Sequence, residues 1–148
     1  MKKIDIIQAS LEHVEVLTPL FDGYRQFYKQ PSDLEGARRF LSERLANKES
    51  IIFLASNENE GLGFIQLYPT FSSIALKRLW ILNDLYVLPN ARRQGIGKAL
   101  LDRARQHAAT TGAKGLMLET AIDNPAQNLY RLMGYQRDEE FYSYYLNL

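Results

Sequence analysis

Apolar positions near the start of the chain follow the period of a strand and then that of two helices. A strand is predicted over residues 4–8, and a helix follows whose apolar residues recur every three or four positions: Leu11, Val14, Leu17, Phe21, Tyr24 and Tyr28. Pro19 predicts a kink or split in this helix, and Pro31 predicts its end. The capping sequence Ser32-Asp33-Leu34-Glu35 then predicts a second helix, with an apolar stripe through Leu45.

From Ser50 onward the pattern changes to strands. Residues 51–55 and 62–68 predict an antiparallel hairpin around turn-forming residues 57–61, and residues 69–73 predict its end. A longer strand, residues 79–88, is apolar on both faces except at Asn83 and Asp84, as expected for a central strand. A helix over 95–111, a parallel strand over 115–121, a helix from Asn124-Pro125 to Gly134 and a closing strand over 141–148 complete the chain.

These elements predict one α+β domain spanning residues 1–148, built around a mixed, mostly antiparallel sheet with flanking helices. At 148 residues the chain is long enough to bury a core without dividing into domains. Its 46% hydrophobic and 24% charged residues are ordinary for a folded, soluble protein.

Charge and composition narrow the function. A net charge of +1 provides no overall field that would attract nucleic acid or an anionic membrane, so neither is expected as a partner. The absence of cysteine excludes disulfides, thiolate metal sites and a cysteine nucleophile, and two histidines on separate helices predict no metal site. We expect no signal peptide or membrane span, which makes the cytoplasm the expected location.

One loop has the chemistry of an anion site. Arg92-Arg93-Gln94-Gly95-Ile96-Gly97-Lys98 joins the central strand to a helix, whose first N–H groups lie free at the positive end of the helix dipole. It is not a Walker A loop, because Ala99 replaces the required hydroxyl residue and Arg92 the upstream glycine. It is not a dinucleotide-binding fingerprint either, because that motif needs a small residue where Leu100 stands and normally follows the first strand of the chain.

The R-x-x-G-x-G pattern of this loop resembles the GCN5-related N-acetyltransferase (GNAT) family, which uses it to hold the pyrophosphate of acetyl-coenzyme A. Asn124 and Leu129-Tyr130 before Gly134-Tyr135 match the family's second segment, and the order of elements matches its fold. The resemblance implies a splayed central strand pair and acetyl-CoA as cosubstrate. It further implies coenzyme contacts from the backbone of Leu85, Tyr86 and Val87, with Val87 the main donor to the thioester carbonyl, and from Arg92, Arg93, Gln94, Gly95, Ile96, Gly97, Lys98 and Asn124.

Acetyl transfer to an amine needs a proton for the departing thiolate and a base for the attacking ammonium. The resemblance implies that Tyr130 serves the sulfur, and a phenol with an ordinary pKa of about 10 is protonated at neutral pH. Asp84, inside an apolar strand, is the first candidate base and Glu119 the second, with water a further possibility. Without a cysteine, direct attack in a ternary complex is the expected route.

The acceptor is predicted only as a class. Tyr24, Phe27, Tyr28 and Trp80 are candidates for lining its pocket, although such aromatic residues are more often core. The sequence Tyr24-Arg25-Gln26-Phe27-Tyr28, followed by Pro31, is similar to a fungal histone and polyamine acetyltransferase group, which favours a primary amine on a small molecule or a lysine. A non-catalytic acyl-CoA binding or sensing module is the alternative. The aromatic residues that close the chain predict either a homodimer contact or the end of the core.

Overall fold

The computed structural model describes residues 3–58 and 60–148, which form one sheet with helices on both faces. The strands are β1 (Asp5–Gln8), β2 (Ile51–Asn57), β3 (Glu60–Ser72), β4 (Lys77–Val87) and β5 (Leu116–Met117). The helices are α1 (Val14–Phe27), α2 (Leu34–Ala46), α3 (Ile96–Thr110) and α4 (Ala126–Leu132), with 3₁₀ turns at Leu11–His13 and Pro89–Ala91. In the described ranges, no helix is long and apolar enough to cross a membrane.

The sheet follows chain order, β1-β2-β3-β4-β5. The first four strands pair antiparallel, and β5 pairs parallel to β4. That last pairing involves only Trp80 with Leu116 and Ile81 with Met117, although β4 continues to Val87. The two strands therefore separate toward the carboxyl end of β4, which confirms the predicted splayed pair in a single-domain α+β fold.

Two apolar cores lie on opposite faces of the sheet. On one face α3 and α4 cover a cluster that includes the fully buried Leu100 and Ile65, and on the other α1 and α2 cover a cluster that includes Leu17 and Phe64. The central strands are buried on both faces, which explains their nearly continuous apolar sequence.

A bulge in β4 at Asn83 exchanges the two faces of the strand. Asp84 and Leu82 pair with consecutive residues of β3, so Asn83 is the extra residue. Leu82 before the bulge and Leu85 after it both pack in the α3 cluster, whereas Tyr86 packs against the α1–α2 cluster. The extra residue therefore turns Asp84 to the α1 side, where a regular alternation from Leu82 would have placed it against α3.

Two predicted features in the first half of the chain differ in the structure. Helix α1 is not split at Pro19, because burial of neighbouring Thr18 and Leu20 offsets the one backbone hydrogen bond that proline forfeits. Strand β3 runs through Pro69, which pairs with Trp80, and ends only at Ser72. The predicted hairpin turn includes Asn59, which lies outside the described residues.

The end of the chain differs most. The predicted strand over 115–121 is reduced to Leu116–Met117, because the splay removes β4 as a partner for the residues that follow. The predicted closing strand over 141–148 is wrong for this structure: these residues are exposed and belong to no helix or strand. An alternating aromatic sequence makes a strand only where a partner edge is paired with it.

Candidate active site

The splay between β4 and β5 opens a cleft of about 410 Å³, within the range of small-molecule sites. We call this cavity the cleft. Its floor is the end of β4 at Leu85, Tyr86 and Val87, and its sides come from α1, α4 and the loop before α3. The structure thus gathers residues that are more than 100 positions apart in the sequence around one space.

The loop before α3 presents unpaired donors to the cleft. Gly95 is the residue before the helix, at φ +79° and ψ +11°, and the first backbone bond within the helix is from Ala99 N–H to Gly95 O at 3.0 Å. The N–H groups of Ile96, Gly97 and Lys98 precede that bond, so they have no partner within the helix. Arg93 and Lys98 also line the cleft, which gives this end a positive charge.

The two glycines of the loop have different physical roles. A Cβ on Gly95 would meet no protein atom within 4 Å, so the space in front of this residue is open. A Cβ on Gly97 would lie 3.2 Å from Leu129 Cδ2, so Gly97 allows α3 to pack closely against α4. Of these two glycines, only Gly95 therefore combines a left-handed conformation with free space for a ligand.

The end of β4 directs a backbone donor into the cleft. Val87 O accepts a hydrogen bond from Arg92 Nε at 2.9 Å, and Leu88 N–H donates to Leu62 O at 2.9 Å. In an antiparallel pair the N–H and C=O of one residue point the same way, and this direction alternates along the strand. The Val87 N–H therefore points away from β3, toward the open edge.

The Arg92 side chain connects the loop before α3 to the end of β4. Besides its bond to Val87 O, its guanidinium carbon lies 5.8 Å from the centre of the Tyr86 ring. Its side chain thus has a local structural role beside any contact with a ligand. Gln94, also predicted as a coenzyme contact, is exposed and does not line the cleft.

Helix α4 brings Tyr130 to the opposite wall. The residue is 9% exposed, its ring centre lies 5.8 Å from that of Tyr135, and burial raises the pKa of its phenol to about 12. It is therefore protonated at neutral pH. Asn124, two residues before the helix, accepts a hydrogen bond from Ala126 N–H at 2.9 Å, so its Oδ1 is occupied by the first residue of α4.

Three of the four predicted acceptor-side aromatics lie together at the mouth of the cleft. The ring centres of Tyr24 and Tyr28 are 5.1 Å apart, and those of Phe27 and Tyr28 are 5.2 Å apart. Phe27 is 51% and Tyr28 41% exposed, so both are accessible. Trp80 lies elsewhere: it is buried beneath α3, where its indole N–H donates to Thr111 Oγ1 at 3.0 Å, because before the bulge its side chain faces the α3 core. This placement removes it from the acceptor pocket.

Asp84 is enclosed in a polar chain behind the cleft. Its carboxylate accepts hydrogen bonds from Gln66 Nε2 and, at 2.7 Å, from Asn83 Nδ2, and Ser50 in turn donates to Gln66 Oε1 at 2.7 Å. Burial raises the pKa of Asp84 to about 6, an effect that these donors and the Tyr24 hydroxyl partly offset. Asp84 is 1% exposed and does not line the cleft.

Tyr24 stands between Asp84 and the cleft. Its hydroxyl donates to Asn83 O at 2.9 Å, and burial together with the neighbouring Asp84 carboxylate raises its pKa well above the ordinary value. Glu119, beyond the end of β5, is exposed and does line the cleft. The two predicted carboxylates thus differ in access: Asp84 is buried behind Tyr24 and Asn83, which line the cleft, whereas Glu119 lines the cleft itself.

Sequence reasoning missed Asn83, Gln66 and Ser50. Two consecutive polar residues inside an otherwise apolar strand, Asn83 and Asp84, are the signal that could have indicated a bulge. Gln66 in the apolar run of β3 could have indicated a buried polar partner. Across residues 3–58 and 60–148, no three His, Cys, Asp or Glu side chains are grouped so that they could hold a metal.

Comparison with known proteins adds three findings. The model of the acetyltransferase (GNAT) family matches residues 17–135. The uncharacterized N-acetyltransferase YhfO of Bacillus subtilis (strain 168) is 48% identical over 146 residues, 98% of each chain. A crystal structure of a probable acetyltransferase shares 48% identity and 97% of each chain, with a TM-score of 0.92.

A more distant structure carries a ligand. An aminoglycoside N-acetyltransferase crystallised with CoA superposes with a TM-score of 0.82, over all of this chain and 97% of that one. Its identity of 18% makes it evidence for the fold alone. The match nevertheless identifies a protein of this fold that binds CoA.

Proposed function

The chain belongs to the acetyltransferase (GNAT) family and is an acyltransferase by class, and we propose that it moves an acetyl group from acetyl-CoA to a primary amine. The observation that carries this proposal is the meeting, in one cleft, of a free helix N-terminus, a backbone donor at the end of β4 and a protonated tyrosine. In turn, these three features would bind the coenzyme phosphates, polarise the thioester carbonyl and supply a proton to the departing thiolate.

The loop before α3 fits the coenzyme's pyrophosphate. Free N–H groups at the start of a helix bind phosphate, and the open space before Gly95 lets an anion approach the backbone. Arg93 and Lys98 add charge at the same end of the cleft. Arg92 contributes by holding the loop against Val87 O.

Bound acetyl-CoA supplies the acyl group, since the amine nitrogen bonds to its thioester carbon as the C–S bond breaks and leaves a free thiol. We assign Val87 N–H as the donor to the thioester oxygen, where negative charge increases during the reaction. Tyr130 holds the proton that the sulfur takes up, and burial keeps that proton in place at neutral pH. The amine must in turn lose its own proton to the protein or to water.

Glu119 is our first choice to receive the amine's proton, because it lines the cleft. Asp84 acts as a positioning residue in this scheme: it fixes Asn83 and, through it, the Tyr24 hydroxyl that faces the acceptor side. Water that leads from the cleft past Tyr24 to Asp84 is the competing route. Variants of the two carboxylates separate these routes by the size of their effect on kcat.

The acceptor we propose is a primary amine on a small molecule, such as a polyamine, or on a lysine. Aromatic faces attract organic cations, and Phe27 and Tyr28 are exposed at the mouth of the cleft. Glu119 is the one predicted carboxylate with direct access to the space beyond them. A cytoplasmic location stays a prediction.

Thiol release tests the proposal. Purified protein should bind acetyl-CoA in a calorimeter and release free CoA thiol when polyamines, aminoglycosides, amino acids or lysine peptides are added. Binding without thiol release from any acceptor would favour the alternative, a non-catalytic acyl-CoA binding or sensing module. Absence of acetyl-CoA binding would contradict both.

A further inference from the structure

Helix α1 contains a glycine, Gly23, where the helix contacts the side chain of Tyr86. Gly23 has an ordinary helical conformation, so its backbone does not require glycine. Inside a helix glycine is less favourable than alanine, because it loses more backbone freedom on folding. A Cβ at this position would lie only 2.8 Å from the Tyr86 hydroxyl oxygen and 3.0 Å from Cζ of the ring. Non-bonded atoms normally pack at about 3.5–4.0 Å, so the ring can lie this close to α1 only because residue 23 has no side chain.

The Tyr86 ring has a second neighbour in the loop before α3. The guanidinium carbon of Arg92 lies 5.8 Å from the ring centre, within the range of a cation–π contact. Arg92 Nε also donates to Val87 O at 2.9 Å. The ring therefore contacts both α1 and the residue that connects the loop to the end of β4.

The bulge at Asn83 places the Tyr86 ring on the α1 side of the sheet. After the bulge, Tyr86 packs with the α1–α2 cluster and Leu85 with the α3 cluster. Tyr24, the residue after Gly23, holds the same helix to β4 through its hydrogen bond to Asn83 O at 2.9 Å. Helix α1 is thus fixed against β4 at two neighbouring points, and it cannot move away from the Tyr86 ring without straining that bond.

We propose that the Tyr86 side chain is a positioning residue for the loop that binds the coenzyme, and that Gly23 provides the space it needs. The ring packs against α1 and supports the guanidinium of Arg92. Arg92 in turn sets the loop relative to Val87, and with it the free N–H groups at the start of α3. This inference rests on the proposed function, because that function assigns the loop to acetyl-CoA.

The same contact relates the two sides of the cleft. Helix α1 carries Tyr24, Phe27 and Tyr28, which line the acceptor side, whereas the Arg92 loop lies on the coenzyme side. Tyr86 also lines the cleft and is only half-buried. A methyl group added at residue 23 would therefore displace the ring toward Arg92 and the cleft, where there is space, with less strain than in a closed core.

A double-mutant cycle on acetyl-CoA binding tests the proposal. Gly23→Ala should raise the Kd for acetyl-CoA about tenfold, although residue 23 does not line the cleft. Tyr86→Leu removes the ring, and we expect it to raise Kd by about threefold. The double variant Gly23→Ala/Tyr86→Leu should bind like Tyr86→Leu alone, because the added methyl group no longer meets a ring.

Gly115→Ala is the matched control for the added methyl group. A Cβ on Gly115 would meet no atom of the described residues within 4 Å, and Gly115 does not line the cleft. Its Kd should stay within about twofold of that of the parent protein. Calorimetry at a temperature where circular dichroism shows every variant folded separates a change in the site from a loss of stability.

The outcomes separate this inference from the proposed function. Parent affinity in Gly23→Ala or in Tyr86→Leu, or effects that multiply in the double variant, would overturn the positioning role. If Gly23→Ala does not fold, Tyr86→Leu decides alone, since a raised Kd in a folded protein supports the role and an unchanged Kd contradicts it. A parent protein that does not bind acetyl-CoA would overturn the proposed function and this inference with it, whereas a parent that binds and gives multiplying effects contradicts this inference alone.

Discussion

Replacement of Gly95 by valine is the sharpest test of the proposed phosphate-binding loop, because Gly112 at the other end of α3 offers a matched control. Gly95 precedes α3 at φ +79° and Gly112 follows it at φ +70°, and a Cβ at either position would meet no atom within 4 Å. A valine forced into this region costs about 1–3 kcal/mol. Both variants should therefore melt roughly 2–12 °C below the parent protein.

Only the Gly95 variant should lose affinity for acetyl-CoA. Its side chain would occupy the open space in front of the N–H groups of Gly97 and Lys98, where we place the pyrophosphate. Loss of two hydrogen bonds to a charged group, each about 1.5–3 kcal/mol, would weaken binding by about 3–6 kcal/mol. That corresponds to roughly a hundred-fold to ten-thousand-fold rise in Kd.

Titration calorimetry with acetyl-CoA measures this difference, at a temperature where circular dichroism shows both variants folded. If Gly95→Val binds within about threefold of the parent, the loop does not hold the phosphates. If Gly112→Val loses affinity equally, the loss reflects general destabilisation, and the reasoning from the local geometry fails.

Three further predictions concern the reaction and pH. Tyr130→Phe should lower kcat by about a hundredfold with little change in acetyl-CoA affinity, because it removes only the proton donor; unchanged kcat in the thiol-release assay would exclude that role. Glu119→Gln should lower kcat by about a hundredfold, whereas Asp84→Asn should lower it less; the reverse result would assign the base to Asp84. The pKa of Asp84 is raised in the folded state, so the native protein binds this proton more tightly than the unfolded chain does. The free energy of unfolding should therefore fall as pH rises from about 4 to about 7, by on the order of 3 kcal/mol. Urea titrations should show a smaller fall for Asp84→Asn, and equal slopes would contradict the burial argument.

The order of elements could be predicted from the sequence because most of it depends on local periodicity. The stripe of α3 and the apolar run of β4 each specify one element, and the R-x-x-G-x-G loop between them indicates the ligand. The end of the chain could not be predicted in this way. Residues 141–148 alternate like a strand, but strand formation depends on a partner edge, which local sequence does not reveal.

The same distinction between local and long-range information applies to the site residues. Local sequence predicts Gly95 and Lys98 as part of an anion-binding loop, because such a loop is made of consecutive residues, and both residues line the cleft. Trp80 was misplaced and Gln66 was missed, because both depend on which face of a central strand a residue occupies. A strand that is apolar on both faces gives no period from which to assign a face, and one extra residue reverses the assignment.

The bulge at Asn83 therefore links the fold to the chemistry. It keeps Leu82 and Leu85 in one core while turning Asp84 toward Gln66, where the carboxylate is enclosed instead of facing α3. It also sets the direction of every backbone group that follows, so that Val87 N–H points to the cleft. A strand without the extra residue would give Val87 the opposite orientation and direct that donor into the sheet. Asn83 and Asp84 thus affect the cleft mainly through the bulge at which they lie, because the bulge sets the direction of the backbone groups after it.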